Sequence, residues 1–252
     1  MQTFIENSIR EAGAMCEASA GNISRDQLSF KNAKDLVTET DRQVELYLTD
    51  QIRKQFPGHG IHGEETGISN PDSRHRWIID PIDGTTSFFH GQPFYAVSIA
   101  LEIDSTVEYG AVYAPALNEL FFAQRGKGAC LNGEPVHVSH TRELIDAVLA
   151  TGFACLRAGA EPNNLPVFNA ILPKIRDIRR YGSAAIDLCY VACGKLDGFW
   201  EMHLNIYDIA AGTLMVKEAG GRVCDFDAGQ AYPQNGIIAS NPFLLPALLS
   251  FV

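Results

Sequence analysis

Cations are the scarce component of this sequence: 20 Lys and Arg stand against 30 Asp and Glu, giving a formal net charge of −10, and no basic run occurs. Sequence-independent nucleic-acid binding depends on clustered Lys and Arg that neutralise phosphates, so a nucleic-acid partner is not expected. An acidic chain that handles an anionic substrate needs a local cation. Cysteine is equally thin. Cys16, Cys130, Cys155, Cys189, Cys193 and Cys224 form no CxxC pair and no Cys/His cluster at zinc spacing, and read as reduced and mostly buried. Cys189 and Cys193 fall four apart on a helical pattern, where burial as small apolar groups is a simpler reading than metal or redox use. No apolar run approaches a membrane span. Glu6, Arg10 and Glu11 interrupt the N-terminal stretch, which suits an amphipathic helix and not a signal-peptide core. No linker, repeat or low-complexity tract appears. A cytoplasmic protein with no membrane partner is the expectation. Its 252 residues, 46% hydrophobic and 20% charged, are enough to bury a large core without disulfides or a structural metal.

What is present alternates between helical and strand patterns. In DRQVELYLTDQIRKQ, residues 41 to 55, Val44, Leu46, Leu48 and Ile52 recur at roughly helical spacing before Pro57-Gly58. GIHGEE and RWIID read as short strands, YAVSIALEI and VEYGAVYAP as longer ones. ELFFAQRGKGACLNGEPV reads as a hairpin turning at Asn132-Gly133. Short turns between consecutive strands imply antiparallel pairing in this middle third. Beyond it come a strand (LIDAVLATGF), helices (PVFNAILPKIRD and SAAIDLCYVACGKL), a strand (GFWEM) and a helix (IYDIAAGTLMVKEAG) stopped by Gly220-Gly221. Strands GRVCDFD and GIIAS and a last helix follow. The pattern reads as a mixed α/β or layered α+β fold, one unit over residues 1–252 with a soft subdivision into 1–140 and 141–252.

The stretch RWIIDPIDGTTSFFHG, residues 76 to 91, ends an apolar strand in two carboxylates. DPIDG alone is compatible with a plain chain reversal. Yet WII places Asp80 at the mouth of a buried strand, where a carboxylate needs a cation or several hydrogen bonds. Gly84-Thr85-Thr86-Ser87 then resembles a helix start, whose free N–H groups favour an anion. Acids for a cation beside donors for an anion suit a metal-bound phosphate. Mg²⁺ wants about six oxygens, and further acids stand at element boundaries: Asp41 in DLVTETD, Glu64 and Glu65 in HGEETG, Asp208 in NIYDIAAG. Taken singly, Asp41 reads as the N-cap of its helix, Asp208 as a first-turn acid and Glu65 as a solvated one.

DLVTETD at 35 to 41, GEE at 63 to 65, WIIDPIDGTTSF at 77 to 88 and YDIAAGTLMVKEAGG at 207 to 221 together resemble the inositol monophosphatase family. NGEPVHVS, RRYGSAAIDLCYVACGKLDGFWE and IIASNP extend the resemblance over nearly the whole chain. It implies a layered α-β-α-β-α sandwich with a largely antiparallel N-terminal sheet and a smaller mixed C-terminal one. It also implies a homodimer that hydrolyses small polyol phosphates with two or three Mg²⁺ ions, by metal-activated water and without a covalent intermediate. By the same resemblance Glu64, Asp80 and the Ile82 carbonyl hold a first ion, Asp80, Asp83 and Asp208 a second, and Glu64 helps a third. Thr85, Asp41 and Glu64 are catalytic, with Thr85 and Asp41 orienting and deprotonating the water. Asp83, Gly84, Thr85, Ala184, Glu201 and Asp208 bind substrate.

Two departures concern substrate fit: Ser87 stands where the family usually has Asn, and Tyr207 where it has Trp. Myo-inositol monophosphate is the expected substrate and lithium the expected inhibitor. Fructose-1,6-bisphosphate, another phosphatase of the superfamily, and a regulatory binding role with secondary phosphatase activity are the alternatives. Two finer expectations concern single residues: that Asp83 has no role besides metal, and that Phe199, Glu201 and His203 share one face of a strand through GFWEMHL.

Overall fold

The computed structural model describes residues 1–20, 28–32 and 35–252. Two long amphipathic helices open the chain. α1 (Gln2–Ser19) buries Ile5, Ile9, Ala12 and Cys16, spaced by three and four, and α2 (Glu39–Gln55) buries Val44, Leu48 and Ile52. Between them β1 (Leu28–Asn32) and β2 (Asp35–Thr38) pair antiparallel; each is too short for a period-two pattern to stand out in the sequence.

The main sheet has eight strands: β3 (Gly60–Gly63), β4 (Gly67–Ser69), β5 (His75–Asp83), β6 (Ala96–Ile103), β7 (Thr106–Ala114), β8 (Glu119–Gln124), β9 (Gly128–Leu131) and β10 (Glu134–Pro135). Their order is β10-β9-β8-β7-β6-β5-β3-β4, with only β3 and β5 parallel. The predicted single hairpin over residues 119 to 136 is thus three strands. The second turn is Asn132-Gly133, both at positive φ (50° and 86°) as a tight hairpin requires. A short helix, α3 (Thr85–Phe89), leaves the end of β5.

The second sheet is mixed: β11 (Val148–Thr151), β12 (Asp177–Arg179), β13 (Gly198–Glu201), β14 (Arg222–Cys224) and β15 (Ile237–Ser240), in the order β12-β11-β13-β15-β14. Its helices are α4 (Ala154–Ala158), α5 (Leu165–Ile171), α6 (Ala184–Ala192), α7 (Ile206–Glu218) and α8 (Leu245–Leu249). The long helix expected over PVFNAILPKIRD is cut short: α5 passes into a 3₁₀ turn containing Pro173, and Asp177 to Arg179 become an edge strand. α7 ends as expected, with Gly220 at φ 87° just after its cap.

Period-two alternation sorts the strands' side chains into layers. On β5, Trp77 and Ile79 pack with α1 and α2, whereas Ile78 joins the core formed with α6 and α7. On β13, Phe199 faces that same middle core, and Trp200 faces α5 and α8. The result is a five-layer α-β-α-β-α sandwich, with α6 and α7 packed between the two sheets.

Candidate active site

The site forms where β5 reaches the middle helical layer. Strict alternation would put Asp80 and Asp83, three residues apart, on opposite faces of β5. The pairing of β5 with β6 instead shifts register between Asp80 and Asp83. This is a bulge at Pro81, which has no N–H to give the ladder. Ile82 therefore turns into the α1/α2 core, and both aspartates line one cavity with Glu64, Ile82, Gly84, Thr85, Arg157 and Asp208. Asp80 is not at the strand mouth, as the sequence suggested, but within the strand and 1% exposed.

Two helix starts deliver Asp41 and Asp208. Asp41 is the third residue of α2, not its cap: Thr38 is the N-cap, and Asp41 Oδ2 accepts from the Thr38 N–H (2.8 Å) and hydroxyl. That leaves Asp41 Oδ1 facing the Thr85 hydroxyl at 3.4 Å, while the same hydroxyl lies 3.0 Å from the Ile82 carbonyl. Asp208 holds the corresponding place on α7, accepting the Asn205 N–H at 2.5 Å. Both are capping boxes with Asp in the third position. Gly84 turns the chain from β5 into α3 at φ 89°, and a Cβ there would meet the Phe94 carbonyl oxygen at 2.7 Å.

Asp83 does more than the sequence reading allowed. Its Oδ2 accepts the Ser183 hydroxyl and the Ala185 N–H, both at 2.6 Å, and so ties β5 to the start of α6. This brings Ala184 into an adjoining cavity with Asp83, Asp208, Glu201, Asp187, Arg157 and Arg180. Glu201 sits at the end of β13, the central strand of its sheet, 6% exposed and accepting the Ala154 N–H at 3.0 Å. β13 stops there, and His203 adopts a left-handed φ of 64°, so His203 does not share a strand face with Phe199 and Glu201. Ser87 is buried and donates to the Tyr181 carbonyl; Tyr207 meets His62 edge-on at 6.1 Å.

Arg157, Arg180 and Asp187 were missed by sequence reasoning. Arg157 lies in RAGAEPNNLP, which carries no readable pattern, and Arg180 in the pair RRYG; the sequence reading meets the need for a local cation with metal and points to neither. Asp187 is 2% exposed, and its Oδ1 has no hydrogen-bond partner among the described residues.

Electrostatically the acids repel one another. Burial, then Glu64, Asp83 and Asp208, hold Asp80 well above the usual carboxylate range. Burial and Asp83 do the same to Asp208. Burial raises Asp83, opposed by its bonds from Ser183 and Ala185. Burial pushes Asp41 and Glu201 up to about 7 each. One carboxylate oxygen from each of Asp80, Asp83 and Asp208 lies within 4.8 Å of the others. Hard oxygen donors, with no thiolate or imidazole in the set, suit Mg²⁺, and a bound cation removes the like-charge cost. The cluster is thus able to bind a metal.

Within this layered fold, carboxylates from β5, the turn after β3 and the start of α7 converge on one cavity. The chain belongs to the inositol monophosphatase family, whose model matches residues 1–250, and it is a phosphoric monoester hydrolase. It is 42% identical over 244 residues to an inositol-1-monophosphatase of Mesorhizobium japonicum, covering 96% of this chain and 92% of that one. It is 44% identical over 246 residues to Nus factor SuhB of Haemophilus influenzae, with 96% and 92% covered. The crystal structure of extragenic suppressor protein suhB from Bartonella henselae superposes with a TM-score of 0.92 at 39% identity, over 99% of this chain and 96% of that one.

Proposed function

We propose that the chain hydrolyses the phosphate monoester of a small polyol, myo-inositol monophosphate first, in a Mg²⁺-dependent reaction at the Asp80/Asp83/Asp208 cluster. The observation that carries this is the cluster itself, three converging carboxylates continuous with the Gly84-Thr85 turn on one side and with the Glu201 cavity on the other. Glu64, Asp80, Asp83, Asp208 and the Ile82 carbonyl would hold two or three ions. Bound Mg²⁺ supplies Lewis-acid stabilisation of the phosphoryl oxygens and acidifies the attacking water.

The side chains do the remainder. Thr85 has one hydroxyl proton and two acceptors in reach, Ile82 O and Asp41 Oδ1. With its proton turned to Asp41 Oδ1, the Thr85 oxygen would accept a hydrogen bond from the attacking water, and the water's proton would pass to Thr85 as the Thr85 proton passes to Asp41. The Gly84 and Thr85 N–H groups face the phosphate. Glu201 and Ala184 border the polyol, with Glu201 accepting from hydroxyls remote from phosphorus, and Arg157 and Arg180 add the cationic charge an anionic substrate requires. Water attacks phosphorus directly, so no enzyme residue becomes phosphorylated.

Relatives named Nus factor give a second reading, a binding role beside the phosphatase. Retention of every proposed ligand position favours hydrolysis. A homodimeric cytoplasmic enzyme inhibited by Li⁺ belongs to the same proposal. The test is phosphate release from inositol-1-phosphate, fructose-1,6-bisphosphate, adenosine bisphosphate and histidinol phosphate, with Mg²⁺ and with EDTA. Mg²⁺-dependent release, fastest with inositol-1-phosphate, supports the reading. Faster release from fructose-1,6-bisphosphate would move the substrate, and release that survives EDTA would overturn the metal role.

A further inference from the structure

Glu45 lies on α2, four residues and thus about one turn beyond Asp41, with no exposed surface. A buried carboxylate persists only where donors or cations compensate it. Here both oxygens are used: Oε2 accepts the Glu65 N–H at 2.8 Å, and Oε1 the Thr66 N–H at 2.7 Å. Those donors belong to the turn after β3 that presents Glu64. The Glu64 N–H in turn donates to the Ile79 carbonyl of β5 at 3.2 Å, so the turn is clamped from the helix on one side and from the sheet on the other. Gly63 makes room for this. A Cβ at that position would stand 2.3 Å from Glu45 Oε1.

We propose that Glu45 is a positioning residue, which fixes the Glu64 turn so that Glu64 converges with Asp80, Asp83 and Asp208, and so sets the affinity of the cluster for its divalent ion. One helix then registers both halves of the site: Asp41 faces Thr85 while Glu45, a turn away, locks the loop of Glu64. Charged acceptors for two backbone N–H groups cannot be replaced by an amide without turning an –NH₂ on one donor. The inference rests on the proposed metal role of Glu64, and the experiment separates the two.

Mg²⁺ is titrated by calorimetry into metal-free wild type, Glu45→Gln, Gly63→Ala and Glu64→Gln. Circular dichroism verifies the fold of each variant, and the Mg²⁺ concentration for half-maximal phosphate release is measured alongside. Glu45→Gln and Gly63→Ala are each expected to weaken Mg²⁺ binding by about 10- to 100-fold, the range for groups that orient metal ligands, and to raise the half-maximal concentration by a similar factor. A merely structural role would lower the melting temperature of the metal-free protein and leave the affinity of the folded molecules unchanged. If Glu64→Gln loses binding and folded Glu45→Gln and Gly63→Ala bind as wild type does, the positioning role is overturned. If Glu64→Gln also binds as wild type does, the metal role of Glu64 falls, and this inference falls with it. Should Glu45→Gln fail to fold, Gly63→Ala, which displaces the same carboxylate from the other side, is read by the same criteria.

Discussion

Thr85 and Glu201 are the two side chains whose geometry separates the chemistry from substrate recognition. Thr85→Ala removes the hydroxyl between Asp41 and Ile82 but keeps the backbone donors of α3's start. Its kcat is expected to fall by about 100-fold or more with little change in KM, as for loss of a proton-transfer partner. Thr86 is exposed, and Thr86→Ala is the control; equal losses in both would assign the effect to the turn and not to the hydroxyl. Glu201→Gln can keep the Ala154 bond through its amide oxygen while losing the charge offered to the polyol. About 1.5–3 kcal/mol is the expected loss for inositol-1-phosphate, with almost none for p-nitrophenyl phosphate. Equal effects on the two substrates would place Glu201 in the chemistry or the fold. The carboxylates, Gly84, Thr85 and Ala184 were legible as types, since motif spacing carries side-chain identity. Arg157, Arg180, Asp187 and Glu45 were not, because contacts between residues distant in the sequence leave no local pattern.

Among the elements, the capping boxes of α2 and α7 stabilise helix starts with the same carboxylates proposed to act in catalysis. Thr38→Ala is therefore expected to cost about 0.5–2 kcal/mol, the range for losing an N-cap. It is also expected to lower kcat, because Asp41 Oδ2 loses its anchors. Urea unfolding and initial rates on one preparation check both. A stability loss with unchanged kcat would show that Thr38 does not position Asp41. The long helices were readable because their apolar periods exceed three turns. β1, β2, β12 and α4 were not, being three to five residues each. The bulge in β5 was announced only by Pro81. Yet it decides the site, since without it Asp80 and Asp83 would face different layers.

For the whole molecule, a net charge of −10 with acids concentrated at one site makes stability depend on pH and on metal. Asp41 and Glu201, raised to about 7, hold protons in the folded metal-free chain at pH values where the unfolded chain has released them. Between about pH 4 and 7 the folded state binds more protons, so their contribution to stability is present at low pH and is lost as pH rises through about 7. His59 and His62, lowered chiefly by burial, act in the opposite sense, so the effect is read as a difference. In EDTA, Asp41→Asn and Glu201→Gln should lose less melting temperature than wild type between about pH 5 and 7.5. Identical slopes would contradict the raised values. The succession of helices and strands was legible from alternation and turn signals, and their stacking into layers, with α6 and α7 between the two sheets, only through family resemblance. The most direct test of the metal-dependent site is Asp83→Asn. Its amide oxygen can keep the Ser183 and Ala185 bonds while its –NH₂ replaces the charge facing the cluster. Phosphate release from inositol-1-phosphate at saturating Mg²⁺ is expected to fall by about three orders of magnitude with an unchanged circular dichroism spectrum; release at the wild-type rate would contradict the assignment.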